Sequence, residues 1–396
     1  MEFMCEVLYN FNVYLYLCAK QESIMAIERI NIQSERLCWA VRRAGFSEEK
    51  ALEVFPLLND WLNKDKQPTL NQLKSFATRF YVPLAYLFLG ELPKESIPFP
   101  MFRGEAGQHG RFDLNVYDTV MGVQARQEWL EEYLEYNEIE SCSFVGTMTI
   151  DHSVNEAVEK LRTILDLDSR WAFSLSTPDA AVSLLSQKLE DAGVFLAYNG
   201  VVGNNTHRPL KVSECRGFAL VSATAPYIFV NSADSKSAQL FTLVHEAAHL
   251  MLGVSAGHAG SEVLNHEVTE NYCDRVAAEF LVPASVLREI WNNDTKYVAR
   301  RFKASELVVA RRAHDLGLMS NADYKSFWLM YSQRQDIAKK KSAGGSFYLT
   351  SVKRVGRNFA IHVRNAVNSQ QLSYTDAYRL TGLYGKTYDN FMTNNI

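Results

Sequence analysis

The stretch Phe241 to Leu252 constrains this chain more than any other, because it places two histidines and a glutamate on one predicted helix. It contains the motif His245-Glu246-x-x-His249 within an apolar run. Residues four apart share a helix face, so both imidazoles can bind one metal ion. Glu246 lies beside them, placed to take a proton from a water at that metal. This pattern is typical of zinc peptidases. A bare H-E-x-x-H motif also arises by chance, and its two histidines are then only a structural pair. The surrounding sequence therefore has to distinguish a metal site from such a pair.

A second predicted helix downstream offers a third ligand. It runs from Glu270 to Pro283, a residue that ends helices. Catalytic zinc usually takes three protein ligands and leaves a fourth position to water. Glu270 and Asp274 form an i, i+4 acidic pair, which predicts Glu270 as the third ligand and Asp274 as the partner that fixes a ligand histidine's tautomer. The alternative is two surface carboxylates on an amphipathic helix.

Two other histidines compete with Glu270 for this role, namely His258 and His266. They lie in the Gly-rich stretch 253–266, which favours a flexible loop near the mouth of the site. A third histidine six residues after the motif would indicate a different ligand set, but Ser255 stands there. Together with Tyr272, the two histidines are also weak candidates for the group that stabilises an oxyanion.

Three short β-rich runs precede the motif, at residues 193–198, 217–222 and 227–231. The last two are separated by Ala-Thr-Ala-Pro, which is a hairpin signal. A small sheet leading into a metal-binding helix, among many predicted helices, indicates an α+β fold that is predominantly helical. An edge strand of such a sheet could hold an extended peptide by strand addition.

The segments RGFALVSATAPYIFVNSADSKSAQLFTLVHEAAHLMLG and ENYCDRVAAEFLVP resemble the ImmA/IrrE family of metallo-endopeptidases. The family pattern is a strand ending near an Asn, then F-T-L-x-H-E-x-x-H, then E-x-x-x-N/D-x-x-A-A-x-x-L-x-P. The positions that match are Phe241, Thr242, Leu243, His245, Glu246, His249, Glu270, Ala277, Ala278, Leu281 and Pro283.

This resemblance implies a zincin-like metallopeptidase domain that binds Zn²⁺. By position, the implied zinc ligands are His245, His249 and Glu270, and the implied general base is Glu246. Asp274 stands where the family often has Asn, and either side chain can accept a hydrogen bond from a ligand histidine.

Residues 28–92 predict a front domain of five short helices with tight turns. The helices span about 33–44, 47–54, 56–64, 69–80 and 83–89, with Ser47 and Thr69 as predicted N-caps. The outline is similar to the helix-turn-helix domain of the XRE repressor class, which is often fused to this peptidase.

The predicted recognition helix of that front domain, residues 56–64, is poorly suited to reading DNA. It offers Asn59, Asn63 and Lys64, but no Arg or Gln for base edges. DNA binding and a helical fold that only contacts proteins therefore both stay open.

The C-terminal part is predicted to be helical, over about 285–292, 298–303, 305–316 and 321–333. RFKASELVVARRAHDLGLMS resembles a second helix-turn-helix-like unit, and the sequence after Gly344 resembles the extension that often follows it. Between Arg334 and Arg364 there are eight Lys or Arg and one acid, Asp336, which gives a net charge of +7. Such a run can contact phosphates in DNA or can be a solvated face.

A chain of 396 residues suggests two or three domains. The predicted organisation is an N-terminal extension over 1–25, a helix-turn-helix-like domain over 26–105, a metallopeptidase domain over 106–290 and a basic helical extension over 291–396. The N-terminal extension is either an extra amphipathic segment or the product of a start codon chosen too early.

Composition narrows the class of protein further. The net charge of −4 excludes a general polyanion binder. Six scattered cysteines without a C-x-x-C pair fit a reducing cytoplasm, and Cys273 is expected to pack as a small apolar group. Residues 11–19 are apolar but too short to span a bilayer, so no membrane partner is expected.

The expected function is that of a cytoplasmic zinc-dependent endopeptidase acting in transcriptional regulation. By resemblance, its expected partner is a DNA-bound repressor, cut at one or few sites to derepress a mobile element or a stress response. Two alternatives stay open: a DNA-binding regulator whose peptidase fold is a sensor, and a toxin–antitoxin or defence component that acts by contact without proteolysis.

Overall fold

The computed structural model describes residues 28–93, 95, 113–139, 142–254, 263–337 and 347–396, and the side chains of 263–266, 335–337 and 347–349 lie outside that description. The chain divides into two compact units, Met1–Ser96 and Ile97–Ile396. Every helix in the described part is too short or too polar to cross a membrane.

Within residues 28–93, the first unit contains four α-helices and a closing 3-10 helix. They are α1 (Ser34–Arg43), α2 (Glu48–Val54), α3 (Leu57–Leu62), α4 (Leu70–Arg79) and the 3-10 helix Leu84–Phe88. The last of the five predicted helices is thus a 3-10 helix. The two predicted N-caps are confirmed: the Ser47 hydroxyl accepts from Lys50 N–H, and Thr69 forms a reciprocal capping box with Gln72.

A small hydrophobic core holds the first unit together. Leu37, Phe76 and Phe80 are fully buried in it. Phe55 packs edge-on against Trp61 and Phe76, with ring centroids 5.4 and 5.5 Å apart. Such aromatic pairs contribute beyond the area that they bury.

The second unit is a small mixed sheet among helices. Its helices are α5 (Leu114–Tyr136), α6 (Val154–Leu165), α7 (Pro178–Asp191), α8 (Lys236–Leu252), α9 (Val263–Leu281), α10 (Ala284–Ile290), α11 (Thr295–Phe302), α12 (Glu306–Asp315), α13 (Asn321–Ile337), α14 (Phe347–Val355), α15 (Arg357–Asn368), α16 (Tyr374–Thr381) and α17 (Lys386–Asn394). Its strands are β1 (Phe195–Asn199), β2 (Val201–Val202), β3 (Asn205–Pro209), β4 (Gly217–Leu220) and β5 (Tyr227–Asn231).

The main sheet has three strands in the order β1-β5-β4. β4 and β5 pair antiparallel, so the hairpin predicted around Ala-Thr-Ala-Pro is confirmed, and β1 joins β5 in parallel. A separate two-stranded sheet of β2 and β3 is not predicted by the sequence, because the polar run Asn205-Thr206-His207-Arg208-Pro209 lacks the apolar alternation of a half-buried strand.

The two faces of the main sheet lie in two different hydrophobic cores. Leu196, Ile228 and Val230 belong to the core that contains α8 and α9. Phe195, Phe218 and Phe229 point the other way, into a core completed by α5 and by helices α14 to α17. The C-terminal helices are therefore a structural layer on the back of the sheet.

The outer edge of β1 is covered by the turn between α14 and α15. Gly356, at φ +88°, sits so close to this strand that a Cβ atom on it would meet Leu196 O at 2.3 Å. The opposite edge of the sheet is formed by β4. Among the described residues, no further strand pairs with it.

Candidate metal centre

Helix α8 brings the motif histidines together in the interior of the second unit. It begins after Ser235, whose hydroxyl accepts from Ala238 N–H, and ends at Gly253 in the left-handed conformation. His245 and His249 are both buried, at 7% and 1% exposure. Buried imidazoles need partners, and the neighbouring helix α9 supplies them.

Three potential ligand atoms converge between α8 and α9. His245 Nε2 lies 3.1 Å from His249 Nε2. The Glu270 carboxylate oxygens lie 3.3 Å from His245 Nε2 and 3.0 Å from His249 Nε2. Together they form a His–His–Glu group that could hold a metal ion.

The spacing of these atoms fits zinc. Zinc–ligand bonds of roughly 2.0–2.1 Å at tetrahedral angles place neighbouring ligand atoms about 3.3 Å apart. The three separations of 3.0 to 3.3 Å lie close to that value. Two imidazoles and one carboxylate are also a common donor set of catalytic zinc sites. The residues present therefore fit the metal.

Asp274 lies behind the first of the ligand histidines. Its Oδ1 is 2.9 Å from His245 Nδ1, the ring nitrogen that does not face Glu270. Burial alone would lower the pKa of His245, but its contacts with Asp274 and Glu270 and the charge of Glu246 raise that pKa to about 10. The acids around His245 thus favour a positive charge here, as a metal ion would provide.

Burial alone would raise the pKa of the Glu270 carboxyl, but its hydrogen bonds with His245 and His249 hold that pKa well below its usual range. Glu270 is therefore ionised, as a metal ligand must be.

Glu246 is buried beside the ligand atoms, at 5% exposure, and faces the beginning of β4. A Cβ atom built on Gly217 would lie 3.6 Å from Glu246 Oε1, 2.4 Å from the Thr242 methyl carbon and 2.7 Å from Phe229 O. Only glycine therefore fits at this point of the strand. An isolated glycine in a strand run is a known sign of close backbone approach, and this signal in the sequence could have indicated Gly217.

The edge of β4 is orientated to pair with another chain. Asn231 N–H donates to Arg216 O at 2.8 Å, which makes that pair a hydrogen-bonded one in the antiparallel ladder. Because such pairs alternate, Gly217 and Ala219 direct their own N–H and C=O groups away from β5. The first of these residues is the one beside Glu246.

The competing residues have different positions. Helix α9 begins at Val263, seven residues before its predicted start, so His266 is helical rather than in a loop; its side chain and the whole of His258 lie outside the described residues. Tyr272 follows Glu270 by two positions, about 200° around the helix, and is buried in the core. It is therefore a poor candidate for oxyanion stabilisation. Cys273 is fully buried in the same core, as predicted.

Comparison with known families agrees with this geometry. Residues 191–314 match the model of the IrrE N-terminal-like domain of the peptidase M78 family. Residues 355–394 match a second model, described only as a domain of unknown function (DUF8813). No curated protein matches the chain. The match at 191–314 contains His245, Glu246, His249 and Glu270, and it supports the ImmA/IrrE family and a peptidase assignment for this part of the chain.

Proposed function

We propose that this protein is a zinc-dependent endopeptidase that acts in transcriptional regulation by cutting a repressor protein at a specific site. The observation that carries the proposal is the convergence of His245, His249 and Glu270 at zinc-ligand spacing, with Glu246 buried beside them. A cytoplasmic location, where a repressor is met, is part of the proposal. The four cysteines that the structure describes are all free, which agrees with a reducing compartment.

The chemistry follows from how each side chain is held. His245, His249 and Glu270 would hold the zinc ion, which would supply Lewis-acid chemistry, namely polarisation of the scissile carbonyl and a more acidic water. Glu246 accepts the proton of the attacking water and returns it to the leaving amine. Asp274 holds His245 so that Nε2 faces the other two ligands.

The substrate backbone would lie along the edge of β4. Gly217 and Ala219 present their outward N–H and C=O groups there, and an extended peptide can pair with them as an added strand. The short strand, Gly217–Leu220, leads directly past Glu246. This arrangement requires the cleaved segment of the repressor to be extended and accessible.

Glu246→Gln tests the enzymatic part of this proposal. The variant keeps the side-chain shape and all three proposed zinc ligands, but removes the general base, which typically contributes ~10²–10⁴-fold to the rate. We expect normal folding, normal zinc content and normal binding of the repressor, with cleavage lost. If a neighbouring gene encodes a repressor, that repressor is the first substrate to assay, together with a reporter of its target promoter.

The reporter separates proteolysis from contact. If Glu246→Gln derepresses the promoter as well as wild type does, proteolysis is not the signal. The protein would then act as a sensor, or as a toxin–antitoxin or defence partner, through binding alone. His207→Ala changes an exposed residue on β3 and is the control for the effect of an unrelated substitution. It should leave both repressor cleavage and reporter output unchanged.

A second candidate function, DNA binding through the first unit, is favoured by the order of its short helices. The charge of helix α2 argues against that function, because this helix exposes Glu48, Glu49 and Glu53, and its single cation, Lys50, pairs with Glu53 at 2.7 Å. Phosphate contacts require free cations.

The basic run between Arg334 and Arg364 is an equally weak case for DNA contact. Its described members lie on three different helices, α13, α14 and α15. Arg334 pairs with Glu306 at 3.4 Å, and Arg354 donates to Asn204 Oδ1 at 3.2 Å. Basic side chains that are engaged within the protein are less available to phosphates. We therefore rank DNA contact below the peptidase function.

A further inference from the structure

Asn231, the last residue of β5, is a polar residue with no solvent exposure. A buried amide of this kind is retained only when its hydrogen-bonding groups are satisfied. Its position is notable because the chain turns immediately afterwards into α8, the helix that carries His245, Glu246 and His249.

The Asn231 side chain ties together two separate stretches of backbone. Its Nδ2 donates to Cys215 O at 2.8 Å and to Leu210 O at 3.2 Å. Its Oδ1 accepts from Ala233 N–H at 2.9 Å. All three of these contacts are made to backbone atoms, so they depend on the path of the chain.

Both carbonyls belong to the segment that joins β3 to β4. Leu210 opens this segment, and Cys215 lies near its end, two residues before Gly217. The third contact, to Ala233, holds the start of the short segment that leads to Ser235, the N-cap of α8. One side chain therefore fixes the entry to the edge strand and the entry to the metal-binding helix at the same time.

We propose that Asn231 is a positioning residue that sets the edge of β4 at the correct distance from Glu246 for a peptide substrate. This inference rests on the proposed peptidase function and adds to it the residue that holds the peptide-binding edge. None of the three hydrogen bonds of its side chain joins Asn231 to a proposed zinc ligand. Its removal should therefore impair peptide binding and leave metal binding intact.

The chain offers a matched control in Asn199. This residue lies at the end of β1, directly opposite Asn231 in the parallel ladder, and is also buried. Its Nδ2 donates to Gly203 O at 2.7 Å, and its Oδ1 accepts from Val201 N–H at 3.2 Å. It satisfies the turn after β1 and has no contact with the entry to β4 among these hydrogen bonds.

The experiment compares two zinc-binding probes on full-length, zinc-loaded protein. Acetohydroxamate needs only the metal, whereas N-acetyl-Leu-Ala-hydroxamate also needs the strand edge. For Asn231→Ala we expect unchanged zinc content and an acetohydroxamate affinity within about twofold of wild type. We expect the affinity for the peptide hydroxamate to be at least about tenfold weaker, which is the effect of losing one or two buried hydrogen bonds between the peptide and the edge of β4. Asn199→Ala should bind both probes as wild type does.

Several results would overturn the inference. An unchanged affinity of Asn231→Ala for the peptide hydroxamate would do so. An equal loss of affinity for both probes would also do so, because Asn231 would then support the whole site rather than the peptide-binding edge. Asn231→Ser is the second variant, because its hydroxyl is too short to reach both carbonyls. If neither variant folds while Asn199→Ala does, Asn231 is a structural residue only. If wild type itself binds neither zinc nor acetohydroxamate, the failure belongs to the proposed peptidase function, and the inference falls with it.

Discussion

Asp274 Oδ1 lies 2.9 Å from His245 Nδ1, so the carboxylate holds one ring nitrogen while the other faces Glu270 and His249. Such partners of a ligand histidine typically contribute about 10–100-fold to metal affinity. We therefore expect Asp274→Ala to weaken zinc binding by about that factor in a chelator competition assay. Asp274→Asn should lose less, because the amide oxygen can still accept from Nδ1–H. Asp315→Ala, at an exposed aspartate on α12, should have no effect.

Glu270 is expected to be the third zinc ligand, because its two oxygens lie 3.3 and 3.0 Å from the two histidine Nε2 atoms. Glu270→Ala should therefore reduce the zinc content of the purified protein from about one per chain. His258→Ala and His266→Ala should keep wild-type content by elemental analysis. Loss of zinc in either histidine variant, with Glu270→Ala unaffected, would reverse the assignment.

Gly217→Ala should destabilise the protein through a local steric clash. The new methyl group would approach the Thr242 methyl carbon to 2.4 Å and Phe229 O to 2.7 Å, and neither the sheet nor α8 can move freely. Overpacking of this kind typically costs about 1–3 kcal/mol. Denaturant unfolding measures the change. Gly122→Ala is the control, because nothing lies within 4 Å of a Cβ there, and alanine in mid-helix should stabilise by about 0.5–1 kcal/mol.

Glu190 should make stability depend on pH. It borders a cavity of about 660 Å³ between α7, β1 and the start of α15. Burial raises the pKa of Glu190 to about 7, although Asn358 and Arg357 partly oppose this and Asp191 adds to it. An acid whose pKa is higher in the folded state than in the unfolded state loses stability as pH rises between those two values.

Glu190→Gln removes that titration and should therefore match wild type near pH 4.5 and exceed it at pH 8. Because Glu190 is partly exposed, we expect a gain of about 1–2 kcal/mol at pH 8, below the full linkage value. Unfolding of both proteins at the two pH values measures it. If the difference in unfolding free energy between Glu190→Gln and wild type is the same at both pH values, the fold does not hold Glu190 in a protonated state.

The first unit should bind duplex DNA weakly at most. Its α2 surface is acidic, and the predicted recognition helix lacks Arg and Gln. In fluorescence anisotropy with promoter DNA we expect no sequence preference and complete loss of binding at physiological salt. Salt-resistant nanomolar binding to one operator would contradict this expectation.

The sequence determined the parts of the site that lie within single helices. The four-residue spacing of His245 and His249, and that of Glu270 and Asp274, depends only on helix periodicity. The same holds for the N-caps Ser47 and Thr69, whose hydrogen bonds reach only three residues along the chain. Local geometry of this kind is independent of how the helices pack.

Only the tertiary structure decided which distant residues surround these helices. It placed Gly217 against Glu246 and let Asn231 tie β4 to the entry of α8. It also put the C-terminal helices on the back of the sheet and assigned the described basic residues of one charge run to separate helices. These relationships depend on which apolar faces bury one another across long stretches of chain, and no local periodicity in the sequence encodes that choice.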